Sequence, residues 1–195
     1  GLVPFLVVSA KALKKERGYE TMSQTYTSAG TSINRTKLPA VYRKVTITTP
    51  FALDYGCGKY TAHIRDHVAE QNAYYLPYDP YNQPEKVNEG ACQMLNRCAE
   101  FHKPVTVICS NVLNVINDRN EIKNIAKVIR HIVRETNGVA YITVYEGDKT
   151  GTGRATGKDQ YQRNEPLRNY LKYFNVDTST GADIHNGMIV VRKVG

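Results

Sequence analysis

The stretch Phe51-Ala52-Leu53-Asp54-Tyr55-Gly56-Cys57-Gly58-Lys59 decides the fold. Its apolar start ends in an acid, two glycines follow one residue apart, and the amphipathic segment after them suits a helix. This is the order of a strand, a tight turn and a helix start. Glycines suit such a turn because the backbone bends sharply there and lets a ligand approach closer than a Cβ would permit. The third glycine of the dinucleotide fingerprint is missing, since Lys59, Tyr60 and Thr61 follow Gly58.

Beyond the turn, Ile64, His67 and Val68 fall on one side at helical spacing. His63 and His67 stand four apart, but no third ligand is evident nearby, so they read as surface or packing residues and no metal is expected. Ala73 to Tyr78 is a short aromatic strand closed by Asp79-Pro80-Tyr81-Asn82. In a right-handed strand, helix, strand unit, the turn after the first strand and the acid ending the second meet at one sheet edge. Asp79 can accept both hydroxyls of a ribose there. The competing reading is an ordinary turn aspartate before proline.

Gln83 to Asn88 reads as a polar loop, and Ala91 to Phe101 as a helix with Ala91, Met94, Leu95 and Cys98 on its apolar stripe. Val105 to Cys109 is a continuous buried-strand pattern running into Ser110-Asn111-Val112-Leu113-Asn114. Polar groups at the carboxyl end of a central strand face the ligand crevice, so Ser110, Asn111 and Asn114 are candidate contacts, with loop and cap chemistry as the alternative. Next comes a strong helix, with Asp118 as its N-cap, Glu121 three residues on, a stripe of Ile122, Ile125, Ile129 and Ile132, and Gly138 at its C-terminal turn. Val139 to Tyr145 is again a strand, ending in Glu146-Gly147-Asp148 at the same edge. The polar stretch from Lys149 to Arg163 is too long to be an idle connection. Pro166 to Phe174 presents Leu167, Tyr170, Leu171 and Phe174, and Met188 to Val191 suits a hairpin strand at the sheet edge.

Before the turn, Lys37 to Tyr42 reads as a segment packed on the domain edge, and Val45 to Thr48 alternates as an extra strand. Ser23 to Arg35 reads as a loop or lid. Residues 1–21 read as lying upstream of a natural start at Met22. The apolar opening has its lysines after it, which argues against a signal peptide and a membrane span. The 195 residues, 41% hydrophobic and 23% charged, fit one α/β domain. The net charge of +8 favours polyanions such as DNA or RNA, or a basic solvated face. The 14 tyrosines are open to base stacking or to core and rim packing. Four cysteines without zinc or redox spacing point to a reducing cytoplasm.

Three segments together, Asp54 to Gly58, Asp79 to Tyr81 and Asn111 to Ile116, resemble the class I S-adenosylmethionine-dependent methyltransferases. Within them the chain is most similar to phage methyltransferase-like proteins and to putative methyltransferases associated with DNA phosphorothioation. The similarity covers about Asp54 to Tyr145. It implies a Rossmann-like sheet, mostly parallel, with an antiparallel C-terminal edge strand and an abridged third strand. It implies an arm or lid over residues 1–44, a methyltransferase domain over 45–195, and the cytoplasm of a bacterium or phage-infected host. S-adenosylmethionine is the implied cofactor, with Asp54, Tyr55, Gly56, Gly58, Asp79, Ser110 and Asn111 as its contacts. Asn111, Asn114 and Tyr161 are the catalytic candidates, and Asp148, Arg154, Gln162, Arg163 and Asn164 the substrate contacts. The Asp/Asn-Pro-Pro-aromatic motif of amino-methylating DNA enzymes is absent, as is a Pro-Cys dipeptide for cytosine C5 chemistry. Two rivals remain: an enzyme that cleaves the cofactor, and a non-catalytic basic nucleic-acid-binding module on the same scaffold.

Overall fold

The computed structural model describes Tyr26 and residues 35–195. The readings placed on residues 1–21, on Met22 and on most of Ser23 to Arg35 lie outside the described residues. A short helix α1 (Ala40–Lys44) precedes strand β1 (Phe51–Tyr55), α2 (Ala62–Glu70), β2 (Tyr74–Tyr78), α3 (Glu85–Glu100) and β3 (Val105–Ser110). A 3₁₀ turn (Leu113–Val115), α4 (Arg119–Thr136) and β4 (Val139–Thr143) follow. The chain then forms a small hairpin of β5 (Arg154–Gly157) and β6 (Gln160–Gln162), a 3₁₀ helix (Leu167–Tyr173), and the strands β7 (Thr180–His185) and β8 (Met188–Lys193).

Six strands form one sheet in the order β2-β1-β3-β4-β8-β7. The first four run parallel, whereas β8 pairs antiparallel with both β4 and β7. This is a mixed α/β sheet, and its order differs from the 3-2-1-4-5-6 of the dinucleotide-binding fold. The antiparallel strand expected at the edge is not there: β8 is interior and β7 forms the edge. The apolar run from Met188 to Val191 fits that place, since an interior strand is covered on both faces.

Both faces are covered. On one, α3, α4 and the 3₁₀ helix bury Leu95, Ile122, Ile129, Ile132, Tyr170 and Phe174 against Val107, Ile142 and Ile189. On the other, α1 and α2 bury Val41, Tyr42, Ile64 and Val68 against Ala52, Tyr75 and Ile108. Val45 and Ile47 join this second core, so the chain is tightly packed on both sides of residue 45.

Three local expectations need correction. Val45 to Thr48 forms no strand: it alternates buried and exposed, as its pattern demands, but it pairs with no ladder, and Ile47 N donates to the Gln71 side chain at 2.9 Å instead. The polar run after Gln83 is helical from Glu85, because Pro84 stands just before the first turn, where its missing N–H costs nothing, and Glu85 suits the helix N-terminus. At the end of α4 the left-handed residue is Asn137, with φ of 50°, not Gly138. Gly138 is needed for a different reason: a Cβ there would collide with the Val105 carbonyl oxygen. The N-cap is Asp118 as read, its side chain accepting from Asn120 N at 2.9 Å.

Candidate functional site

Parallel pairing brings the carboxyl ends of β1, β2 and β3 to one edge of the sheet. Gly56 and Gly58 take φ of +82° and +74°, the left-handed region that glycine enters without strain. Gly56 N and Cys57 N both donate to the Tyr78 carbonyl, at 2.7 and 3.2 Å, which ties the turn after β1 to the end of β2. A Cβ on Gly56 would run into a methyl of Val112, so this glycine also lets the turn after β3 close in. Asn111 begins that turn at φ of 55°, with its N–H donating to Thr143 O at 2.9 Å.

Between these turns lies a cavity of about 460 Å³. All seven residues expected to hold a cofactor line it: Asp54, Tyr55, Gly56, Gly58, Asp79, Ser110 and Asn111. Val112, Ile116 and Ile125 give it an apolar wall, with Tyr60 and Tyr81 also facing it.

Asp79 is buried, and its carboxylate is fully engaged. Oδ1 accepts from Tyr81 N at 3.0 Å and Asn82 N at 3.1 Å, while Oδ2 accepts from Gly58 N at 2.9 Å and Asn82 Nδ2 at 3.1 Å. A carboxylate offers about four acceptor sites, so in this state the acid is a turn organiser that joins the glycine turn to the loop after β2. Asn88 supports it from α3, accepting from Asp79 N and donating to Asp79 O.

Asp54 behaves differently. Burial raises its pKa from 3.8 to about 6, the Tyr75 and Tyr42 phenols beside it offset part of the rise, and the Asp79 charge adds to it. The Tyr75 hydroxyl donates to Oδ2 at 2.6 Å. Cys57 shares this environment: burial, then the charges of Asp54 and Asp79, push its thiol far up, so it is no nucleophile at neutral pH.

The remaining candidates are dispersed. Asn111 lines the cavity, but Asn114 does not. Asn114 is buried behind the turn, its Nδ2 donating to Gln162 at 3.1 Å and its carbonyl accepting from Arg163 N at 2.9 Å. Tyr161 also lies outside the lining and stacks, at 5.4 Å between ring centroids, on Tyr26, which does line the cavity. Asp148 and Arg154 are exposed on the excursion after β4. Hydrogen bonds from Thr150 hold the Asp148 carboxyl below its usual range.

Gln162, Arg163 and Asn164, expected to meet substrate, are buried and bonded internally. Gln162 Nε2 donates to Tyr145 O, Asn164 Nδ2 to Thr152 O, and Arg163 to Ile116 O and to Glu165 at 2.7 Å. They latch the excursion to the domain. The two histidines also separate: His67 Nε2 lies 3.1 Å from Tyr42 O, whereas His63 lines the cavity with a buried Nδ1 that has no hydrogen-bond partner among the described residues.

Sequence reading missed several lining residues, namely Lys37, Arg43, Tyr60, His63 and Glu121. Two carried a signal. His63 stands in the first turn of the helix after the glycines, and Glu121 in the first turn of the helix after β3, positions that point toward a ligand at the strand ends. Lys37 and Arg43 had none, because their placement depends on how α1 folds back over the turn.

Among the described residues no group of three or more His, Cys, Asp or Glu side chains is arranged to hold a metal, and no helix is long and apolar enough to cross a membrane. Comparison of the chain with protein-family models, curated proteins and solved structures returned no match.

Proposed function

We propose that the cavity at the ends of β1, β2 and β3 binds S-adenosylmethionine and that the protein transfers its methyl group. One observation carries the reading: the acid, the two glycines, the second acid and the Ser-Asn turn, spread over 58 residues of sequence (54 to 111), line a single cavity. The order β2-β1-β3-β4 supports it, since it is what remains of a 3-2-1-4-5 arrangement when the outermost strand is left out.

In this reading the glycine turn receives the methionyl portion, with Asp54 facing its cationic groups. Asp79 takes the ribose. Of its two Oδ2 donors only the Asn82 amide is on a side chain, so a ribose hydroxyl replaces that bond while Gly58 N keeps the turn in place. The apolar wall of Val112, Ile116 and Ile125 covers the base. Ser110 and Asn111 face the methyl, and Asn114 and Tyr161 position the turn and the excursion behind them. The chemistry asks chiefly for in-line approach of a nucleophile to the methyl, which positioning supplies. His63 is the imidazole available where the acceptor holds its proton. The acceptor comes over the excursion from Asp148 to Asn164, where Arg154 is exposed, and DNA or RNA is the class its basic charge fits.

Isothermal titration with S-adenosylmethionine tests this. Binding by the wild type, lost at least tenfold in Asp79→Ala while near-ultraviolet circular dichroism is unchanged, is the expected result. No binding by the wild type overturns it. Mass spectrometry of the cofactor incubated with protein alone separates transfer from cleavage: turnover without an acceptor would replace methyl transfer by lysis.

A further inference from the structure

A second concavity lies on the other flank of α4, and it is lined by cations. Arg119, Lys123, Lys127 and Arg130 of α4 face Lys172 and Tyr173 of the 3₁₀ helix across a groove of about 760 Å³. None of the groove's residues lines the cavity at the strand ends. Among the described residues no carboxylate lines the groove. Glu165 and Asp177 lie beside it and pair with Arg119 and Arg130, each at 3.1 Å. Lys123, Lys127 and Lys172 are exposed.

Helix stability does not explain this arrangement. Arg119 and Lys123 stand in the first turns of α4, where the macrodipole disfavours cations. Lys123 and Lys127 are four apart, a spacing at which like charges destabilise a helix by about 0.2–0.5 kcal/mol. The stripe from residue 119 to 130 spans roughly 16 Å of helix axis. Successive cations are thus about 5–6 Å apart along the axis, within twofold of the 3.4 Å rise per phosphate along one DNA strand.

We propose that this groove binds the phosphodiester backbone of a nucleic acid without reading its sequence. The groove is concave and the apolar face of α4 is buried in the core, so it lacks the exposed apolar stripe with which a helix lies on a membrane. Tyr173 at its wall, with the Lys172 ammonium 5.4 Å from its ring centroid, adds an aromatic surface beside the charges. The site stands independently of cofactor binding, and it adds a nucleic-acid contact apart from the polar excursion after β4, over which the proposed acceptor comes.

The test is fluorescence anisotropy of the full chain with a labelled 20-nucleotide single strand and a 20-base-pair duplex, titrated from 50 to 200 mM salt. The triple variant Lys123→Gln, Lys127→Gln, Lys172→Gln is compared with a control triple of exposed lysines that line neither cavity, Lys44→Gln, Lys86→Gln, Lys103→Gln, both checked for unchanged thermal midpoint. Wild-type binding, weakened at least tenfold in the groove variant, with the log–log salt slope shallower by about 2 to 3, is the expected result. The control variant then keeps wild-type affinity. Three results overturn the proposal: no wild-type binding at 50 mM salt, a groove variant that binds like wild type, or an equal loss in the control variant. A groove variant that loses only binding to phosphatidylserine vesicles overturns it as well.

Discussion

Replacing Asp54 by Asn is expected to make the protein more stable at neutral pH. Asp54 is buried beneath the cavity, and its pKa stands near 6 against the ordinary 3.8. Between those values the folded state binds a proton that the unfolded chain releases, so stability falls as pH rises. The loss is complete above about pH 6 and amounts to about 3 kcal/mol. Asparagine imitates the protonated acid: its carbonyl still accepts from the Tyr75 hydroxyl, and its amide has the buried Tyr42 hydroxyl nearby to donate to. The variant should therefore match the wild type below pH 4 and exceed it by up to about 3 kcal/mol at pH 7.5. Urea denaturation at half-unit pH steps measures the difference, in which the other titrating groups cancel. Parallel curves for the two proteins from pH 4 to 8 would refute the reasoning. So would a variant less stable at every pH, since burial would then not be what raises the Asp54 pKa. If the cavity binds a cationic cofactor as proposed, the stabilised variant should lose affinity for it, showing that the charge is kept at a cost to the fold.

Two further substitutions probe the frame of the site. Gly56→Ala should destabilise the protein by about 2 kcal/mol or more, since it adds a left-handed backbone strain to a collision with Val112; thermal denaturation decides it, and a wild-type midpoint would refute the close approach of the two turns. Glu165→Gln leaves Arg163 charged and buried without its carboxylate, which should cost about 3 kcal/mol in chemical denaturation; a change under 0.5 kcal/mol would mean that the ion pair does not hold the excursion.

What the sequence revealed follows from where its signals come from. The glycine turn, Asp79 and the Ser110-Asn111 turn were legible because each sits at a strand end, and parallel pairing then fixes where strand ends meet. The strands at Val105 and Val139 and the helix after Asp118 were legible because burial repeats with their own period. Charge in the excursion was misleading. Gln162, Arg163 and Asn164 look like solvated polar residues, yet they are buried because Asn114, Glu165 and the backbone around them satisfy them, a pattern that only tertiary pairing reveals. The groove beside α4 was hidden for a related reason: Lys172 comes from a segment 45 residues beyond Lys127, and only the packing of the 3₁₀ helix sets them side by side.

The interior position of β8 bears on how the chain reaches this state. β4 is made fifty residues before the strand that covers its free edge, and throughout that interval its row of backbone donors and acceptors, with Tyr141 and Ile142, is open to any other extended chain. The parallel half of the sheet can form first, but the edge is sealed only when the β7–β8 hairpin docks. Hairpin docking is therefore the step that separates productive folding from self-association, and substitutions at Ile189 or Val191 should act on yield during synthesis as well as on final stability.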